Sequence, residues 1–157
     1  IEEEDTLGTL HDKLKKIGAK GLEKAINLIE SGKVIAEKQD ESLVTFVKPI
    51  SKEQEVIDWS DTKENIYNKI RGLNPFPGAL SYYDDQIIKV YLSEKIDKEY
   101  DGENGEIVEI LNKKGPVVKV KNGGIILKEV KFQGKKSQSG IDIINGRKII
   151  LNSKFGK

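Results

Sequence analysis

The sequence contains no cysteine and no methionine, and its only histidine is His11. Without cysteine the chain cannot form disulfides, hold metal through thiolates or use a thiolate nucleophile. A single histidine also excludes a histidine-rich metal site, so no bound metal is expected. No apolar run approaches the roughly 20 residues that a membrane span requires, and no membrane is expected as a partner. The first residues are acidic and lack the layout of a signal peptide. The lack of methionine predicts that Ile1 is not a natural start and that the chain is a fragment.

The net charge of +1 conceals an uneven distribution of charged residues. Residues 1–61 carry a net charge of −5. Residues 110–157 carry a net charge of +10, with Glu129 and Asp142 as the only acidic residues among them. Such a concentration of positive charge suits a polyanionic partner. A solvated, solubilising surface would have the same composition, so charge alone leaves both interpretations open.

The first part of the chain has the hydrophobic spacing of helices. Leucine and isoleucine recur at intervals of three and four between residues 5 and 31. Gly18 and Gly21 fall between the two halves of this stripe, which predicts two short helices with a break between them. Nothing in residues 1–32 offers a surface that could bury the stripe, so its apolar face needs a partner from elsewhere. Another helix is predicted from Thr62 to Leu73.

Beyond that helix the hydrophobic period changes to two, which predicts short strands. The candidate strands are Leu80–Tyr83, Gln86–Leu92, Glu106–Leu111, Val117–Lys121, Gly124–Phe132 and Lys148–Asn152. Turn-forming residues separate them, notably Asp84-Asp85 and Asn122-Gly123. Ser139 and Asp142 have the spacing of a capping box, which opens a short helix that ends at Gly146. Five or six short strands with one short helix predict a small OB-like Greek-key β-barrel.

No constellation in the sequence predicts an active site. Asp84 and Asp85 are adjacent, so on a strand their side chains would point to opposite faces, and a tight turn explains them better. His11 has no visible catalytic partner. The glycines at 123–124 lack the lysine and the following helix of a phosphate-binding loop. We therefore expect no catalytic, cofactor-binding or metal-binding residue in this chain.

A lysine pair near the end of the chain suggests a contact with an anion. Lys135 and Lys136 follow Gly134 and precede the capped helix at Ser139. Free N–H groups and the dipole at the start of that helix would add to the charge of the two lysines. Arg147 and Lys148 follow the same helix, and they should lie on the same side as the lysine pair if the helix makes fewer than two turns.

A second motif is the helix-to-strand corner Asn74–Ala79, which contains two prolines. Proline disfavours helical structure in the residue before it, so the preceding helix must end here. This pattern predicts a rigid corner with Phe76 as its buried plug. Arg71 lies one helical turn before the corner and would then be held at a fixed position, although a surface arginine explains it equally well.

Together, these segments resemble methionyl-tRNA formyltransferase along nearly the whole chain. The matching segments are, in family order, Asp5–Leu14, Gln39-Asp40, Ile50–Glu53, Ile57–Trp59, Arg71–Ala79, Gly134–Lys136, Ser139 and Asn145-Gly146. Each segment is short, but their joint occurrence at this spacing is specific. One departure is Gln138, where the family usually has an apolar residue, so the packing before the short helix should differ.

The resemblance implies an α+β fragment of a two-domain enzyme. Residues 1–35 would be N-terminal helices from the tail of a Rossmann-like formyltransferase domain, residues 36–61 a linker, and residues 62–157 a C-terminal OB-like tRNA-binding domain. The parent enzyme transfers a formyl group from 10-formyltetrahydrofolate to methionyl initiator tRNA. Its catalytic residues and folate site would lie in the missing N-terminal domain. The parent is expected to be cytoplasmic and monomeric.

Within this fragment, the implied role is to bind and orient the tRNA. The candidate tRNA-binding residues are Arg71, Lys135, Lys136, Arg147 and Lys148. Two alternatives stay open. One is the C-terminal domain of a sister amino-sugar formyltransferase, which shares the Ile-Asp-Trp and Pro-Gly-Ala elements. The other is a free-standing RNA-binding OB module with no enzyme attached.

Overall fold

The computed structural model describes residues 1–156, in which a long helix leads into a sheet of six antiparallel strands. The helices are α1 (Leu7–Glu30), α2 (Lys52–Glu55), α3 (Lys63–Gly72) and α4 (Gly140–Asn145), with a 3₁₀ turn at Glu41–Leu43. The strands are β1 (Ala79–Tyr83), β2 (Gln86–Ile96), β3 (Ile107–Leu111), β4 (Gly115–Val120), β5 (Gly123–Phe132) and β6 (Gln138–Ser139). The predicted α+β class is confirmed.

The sheet has the strand order β1-β2-β5-β4-β3, and β6 pairs with β5 outside this path. Two tight hairpins set its register. Asp84 and Asp85 both have positive φ, 49° and 57°, and join Tyr83 to Gln86 in the two-residue turn that the sequence predicts. The β4–β5 hairpin also has two residues between its paired ends, Val120 and Gly123, but Lys121 and Asn122 in that turn do not have positive φ.

The end of the chain contacts both edges of the sheet. Phe155 bridges Tyr83 on β1, and Lys154 bridges Glu106 just before β3. The strand predicted at Lys148–Asn152 is wrong, because these residues form turns. Their backbone is bonded elsewhere: the N–H of Ile150 donates to the hydroxyl of Tyr83 at 3.1 Å. Of its apolar residues, Ile149 is buried in the core, whereas Ile150 and Leu151 are 64% and 47% exposed.

The hydrophobic core lies between α3 and the sheet. The predicted helix is present as α3, whose apolar face contributes Ile66 and Ile70, which are at most 2% exposed. The hydroxyl of Thr62 caps its start. Ile57 and Trp59, from the stretch predicted as linker, also belong to this core. Full burial of each such side chain stabilises the fold by about 1.5–3 kcal/mol.

Helix α1 is continuous from Leu7 to Glu30, so the predicted break is wrong. Gly18 and Gly21 are exposed, and a Cβ on either would meet nothing within 4 Å. Glycine costs a helix about 1 kcal/mol per residue relative to alanine, which weakens a helix of 24 residues without interrupting it. No residue of α1 is buried, and its apolar stripe is exposed, with Ile17 at 65%.

The corner after α3 is held differently from the prediction. Phe76 is 78% exposed, so its assignment as a buried plug is wrong. The side-chain amide of Asn74 instead donates to the carbonyl of Tyr91 at 2.8 Å. Gly78 has a φ of +85°, and a Cβ there would lie 2.9 Å from the Tyr91 ring. The corner is therefore fixed by polar bonding and close packing against β2, which leaves the phenyl ring of Phe76 outside.

Candidate nucleic-acid interface

The lysine pair lies at the tip of a loop whose two ends are fixed. The loop leaves β5 at Phe132 in a tight turn, in which the N–H of Lys135 donates to the Phe132 carbonyl at 3.0 Å. Gly134 has a φ of +71°, a conformation that favours glycine. The loop returns through β6, which pairs with Glu129 and Val130 of β5. The side chains at its tip are therefore presented by a turn attached to the sheet.

Lys148, which follows α4 in the chain, lies near the same loop. This helix lies directly on the sheet, because a Cβ on Gly140 would come within 2.2 Å of the Leu127 carbonyl oxygen. Ile149 is buried and anchors the chain after the helix. The amine of Lys148 lies 5.7 Å from the centroid of the Phe132 ring. Packing of α4 thus brings Lys148 to the end of β5.

Lys135 and Lys148 line one cavity of about 210 Å³. The remaining lining residues are Tyr83, Asp84, Gln86 and Phe132. Two ammonium groups beside an aromatic ring can bind an anion such as a phosphate, with Asp84 as the single acid in the lining. The β1–β2 hairpin that supplies part of the lining lies about 50 residues before the loop in sequence. Local sequence patterns therefore gave no signal for it.

Several basic residues of the +10 segment are already paired. Lys114 and Lys128 both approach Glu94, and Lys154 pairs with Glu103 at 2.5 Å. In contrast, the side chains of Lys135, Lys136 and Arg147 form no ion pair or hydrogen bond within residues 1–156. All three side chains are exposed. Unpaired positive charge is therefore present at the loop and at the end of α4, as it is at Lys113 and Lys131 of the same segment.

Gln138, where the family that the sequence resembles usually has an apolar residue, contributes to the position of Lys148. Its side-chain oxygen accepts a hydrogen bond from the amine of Lys148. An apolar residue at this position could not make this contact. Gln138 therefore helps to hold the Lys148 side chain above Phe132, which the sequence alone did not indicate.

The start of α4 contributes less to an anion site than the sequence suggests. The predicted capping box is present: the N–H of Asp142 donates to the hydroxyl of Ser139, and the N–H of Ser139 donates to the Asp142 carboxylate. The Ser139 hydroxyl also donates to this carboxylate and holds the pKa of Asp142 below its usual range. The expected attraction of an anion to this helix end is therefore opposed by a resident negative charge.

Arg71 does not line the cavity. Its guanidinium donates from Nη1 to the carbonyls of Glu2 and Asp5, at 3.1 and 3.0 Å, and from Nε to Asn68 at 2.8 Å. The structure thus brings Lys135 and Lys148 together and leaves Arg71 bound to the N-terminal segment.

The described residues contain neither a metal-binding cluster nor a membrane-spanning helix. Across residues 1–156, no three histidine, cysteine or acidic side chains are grouped so that they could hold a metal ion. No helix in that range combines the length and the apolar character needed to cross a membrane. The candidate site is therefore the cationic surface around the cavity that Lys135 and Lys148 line.

Comparison with protein families finds a match over most of the sheet region. Residues 49–148 match the family described as formyl transferase, C-terminal domain. Solved structures that resemble the chain include HypX from Aquifex aeolicus in complex with tetrahydrofolic acid. That likeness has a TM-score of 0.65 at 14% identity and covers 85% of this chain and 23% of the other. At this identity the likeness concerns the fold alone.

Curated relatives match nearly the whole chain. Methionyl-tRNA formyltransferase from Fusobacterium nucleatum is 48% identical over 156 residues, which are 99% of this chain and 50% of that protein. Methionyl-tRNA formyltransferase from Bacillus subtilis is 41% identical over 157 residues, 99% of this chain and 49% of that protein. The chain therefore spans about half the length of the curated relatives it matches.

Proposed function

The chain belongs to the formyl transferase C-terminal domain family, and on this premise we propose that it is the tRNA-binding part of a methionyl-tRNA formyltransferase. Such an enzyme transfers a formyl group from 10-formyltetrahydrofolate to the amino group of methionine on initiator tRNA. In this proposal the present residues bind and orient the tRNA in the cytoplasm. The catalytic residues and the folate site lie outside this chain, in a protein that acts as a monomer.

The domain organisation that we propose has three parts. Residues 1–35 are the tail of the catalytic domain, residues 36–61 are a linker, and residues 62–157 are the tRNA-binding domain. The end of the linker packs onto that domain, because Ile57 and Trp59 belong to its core. The exposed apolar stripe of α1 supports the first assignment, because a stripe of this size needs a covering surface. The contacts of the chain end with both edges of the sheet support a closed OB-like barrel for the last part.

The observation that carries the proposal is the cavity shared by Lys135 and Lys148. Two lysines from separate segments line it, and their sequence neighbours Lys136 and Arg147 are exposed and have no side-chain partner within residues 1–156. Lysine and arginine contacts to backbone phosphates supply most of the sequence-independent affinity for nucleic acids. We infer that this surface binds the tRNA backbone with little base preference and holds the acceptor arm toward the catalytic domain.

The proposal is tested by removing the loop charges from the full-length enzyme. We expect Lys135→Ala and Lys136→Ala to weaken tRNA binding similarly for all tRNAs. Each should lower the slope of log affinity against log salt by about one unit, because one phosphate contact is lost. Because both side chains are exposed, the melting temperature should not change.

The matched control is Lys121→Ala. Lys121 is exposed and lies in the turn before β5, at the opposite end of that strand from the loop. Lys63 would be a poor control, since its side chain is 12% exposed and its amine bonds to Asn122, Glu64 and Asp97. If the loop variants bind tRNA with the same salt slope as the control, the lysine pair is only a solubilising turn.

Substrate tests separate the proposed enzyme from the alternatives. The full-length protein should formylate methionyl-tRNA, while this chain alone should not. Formylation of a nucleotide-linked amino sugar in place of methionyl-tRNA would indicate the sister enzymes. RNA binding without any formyl transfer by the full-length protein would indicate a free-standing binding module.

A further inference from the structure

The first residues of the chain are docked on the sheet domain, whereas the helix that follows is not. The side chain of Asp5 is only 5% exposed. In contrast, α1 has no buried residue over its 24 positions. The contact between α1 and the rest of the chain is therefore concentrated at the beginning of the helix, where a small number of side chains from α3 and β2 meet the segment Ile1–Gly8.

Arg71 provides the central contact of this junction. Its Nη1 bonds the carbonyl oxygens of both Glu2 and Asp5, while its Nε bonds Asn68 on the same helix. The guanidinium is thereby fixed on α3 and bridges two points of the docked segment. A lysine has a single ammonium without this planar fork and could not reproduce the arrangement.

Two further side chains hold the residue between those two points. The hydroxyl of Tyr67 donates to the carbonyl of Glu3 at 3.2 Å. The amine of Lys95 binds the Glu3 carboxylate at 2.5 Å and lies 4.9 Å from the centroid of the Tyr67 ring. Side chains from both α3 and β2 therefore bind this segment.

The first turn of α1 is seated against the corner that follows α3. The N–H of Gly8 donates to the carbonyl of Asn74 at 3.0 Å. A Cβ on Gly8 would lie 2.8 Å from Cδ of Pro75, so glycine is required for this approach. A salt bridge of 2.7 Å joins Asp5 to Lys13 on the helix. The docked segment is therefore joined to the first turns of α1 by direct contacts.

We propose that Arg71 is a positioning residue, which locks residues 2–5 onto α3 and thereby sets the direction of α1 relative to the cationic surface. This rests on the proposed function insofar as α1 belongs to the catalytic domain. A helix of 24 residues is about 36 Å long, so a tilt of about 10° at its start moves its far end by about 6 Å. A misplacement of about 1 Å is enough to impair catalysis. Arg71 would then control how bound tRNA meets the catalytic domain, without contacting it.

The lock can be tested in this chain without RNA, by measuring the direction of α1. Since the sequence has no cysteine, Lys20→Cys on α1 and Lys121→Cys before β5 give a unique pair of spin labels. We expect a narrow distance distribution by pulsed electron paramagnetic resonance. Arg71→Ala should broaden it at least about twofold, and the matched control Arg147→Ala, at the only other arginine, should not. An Arg71→Ala distribution as narrow as the control overturns the proposal.

Two further variants keep this test decisive. Arg71→Lys retains the charge but loses the planar fork of the guanidinium, so it should also broaden the distance distribution. If circular dichroism shows that Arg71→Ala is unfolded, Arg71→Lys takes its place in the test. Gly8→Ala should shift the mean distance, because the added methyl group pushes against Pro75. Distributions unchanged in both Arg71→Lys and Gly8→Ala contradict a lock at this junction.

The full-length enzyme separates positioning from tRNA binding. Arg71→Ala should lower kcat for methionyl-tRNA formylation by up to about 100-fold, while tRNA affinity and its salt slope stay unchanged. If Arg71 contacts a phosphate instead, the salt slope falls by about one unit and the positioning role is overturned. The Lys135→Ala variant tests the proposed binding surface by itself, so failure of that function and failure of the lock give different results.

Discussion

The indole N–H of Trp59 donates a hydrogen bond of 2.9 Å to the hydroxyl of Ser81, and both side chains are buried. This bond ties the segment before α3 to β1. The ring of Trp59 also lies 5.4 Å from that of Phe155, which in turn is 5.0 Å from Tyr83. The segment before α3 and the last described residues of the chain therefore meet in one aromatic cluster.

Removal of the hydroxyl should destabilise the domain. Ser81→Ala leaves the indole N–H of Trp59 buried without a partner, which costs about 1–3 kcal/mol. Urea unfolding of this chain measures the loss. Ser60→Ala is the control, because its hydroxyl binds Asp58 at the surface and water can replace it. A Ser81→Ala value within about 0.5 kcal/mol of the control would mean that the indole finds another acceptor.

The sequence anticipated the elements whose signals are local. The turn at Asp84-Asp85 and the cap at Ser139 were predicted because each depends on the conformational preference of a few adjacent residues. The predicted strand at Lys148–Asn152 does not form, because Ile149 alone of its apolar residues is buried and the backbone N–H of Ile150 is bonded to the distant side chain of Tyr83. The prediction that Phe76 is buried was also wrong, because an aromatic residue between two prolines carries no information about what covers it.

The candidate site was predicted in part. Lys135 and Lys148 could be named from glycine turns and net charge, and the structure brings them to one cavity. The anchoring of Lys148 by Gln138 and the engagement of Arg71 with Glu2 depend on contacts between segments far apart in sequence. Such contacts follow from tertiary packing, which a local pattern does not encode.

The exposed glycine in the middle of α1 offers a stabilising substitution. Gly18 has open space around its Cβ position, and its backbone is helical. Gly18→Ala should therefore stabilise the helix by about 0.5–1 kcal/mol through reduced freedom of the unfolded chain. Amide hydrogen exchange of α1 is the measurement, with Gly134→Ala as a control that should destabilise, because its φ is +71°. Faster exchange in Gly18→Ala would show that the helix needs flexibility at this point.

The contact between α3 and the β4–β5 turn should respond to acid. The Asn122 side-chain amide donates to the Glu64 carboxylate at 2.9 Å. Three hydrogen bonds to this carboxylate, first that from Asn122, then that from the backbone of Glu64 and that from Lys63, lower the pKa of Glu64 from its ordinary 4.5 to about 2. A carboxylate whose folded pKa is depressed contributes stability above pH 4.5, and this contribution is lost as the pH falls toward 2.

Comparison of Glu64→Gln with the parent tests this dependence. At pH 7 the variant should be less stable by at most about 1 kcal/mol, since the carboxylate is partly exposed. The difference in unfolding free energy should shrink between pH 4.5 and 2 and vanish near pH 2. The matched control is Glu99→Gln, which removes an exposed carboxylate that has no partner within residues 1–156. A difference that is constant with pH would mean that the charge of Glu64 is irrelevant to the contact.

Lys135 and Lys148 should act as one unit in tRNA binding, because they line the same cavity from two segments. If both amines contact one phosphate, removal of either leaves the other with a displaced anion, so the two effects on Kd cannot be independent. We expect the double Lys135→Ala, Lys148→Ala variant to lose less binding free energy than the sum of the single variants, with a coupling of at least about 0.5 kcal/mol. Lys135→Ala combined with Lys121→Ala, at opposite ends of β5, should be additive within that margin. Additivity in both pairs would show that Lys135 and Lys148 contact different phosphates. The cavity between them would then not be the phosphate-binding site.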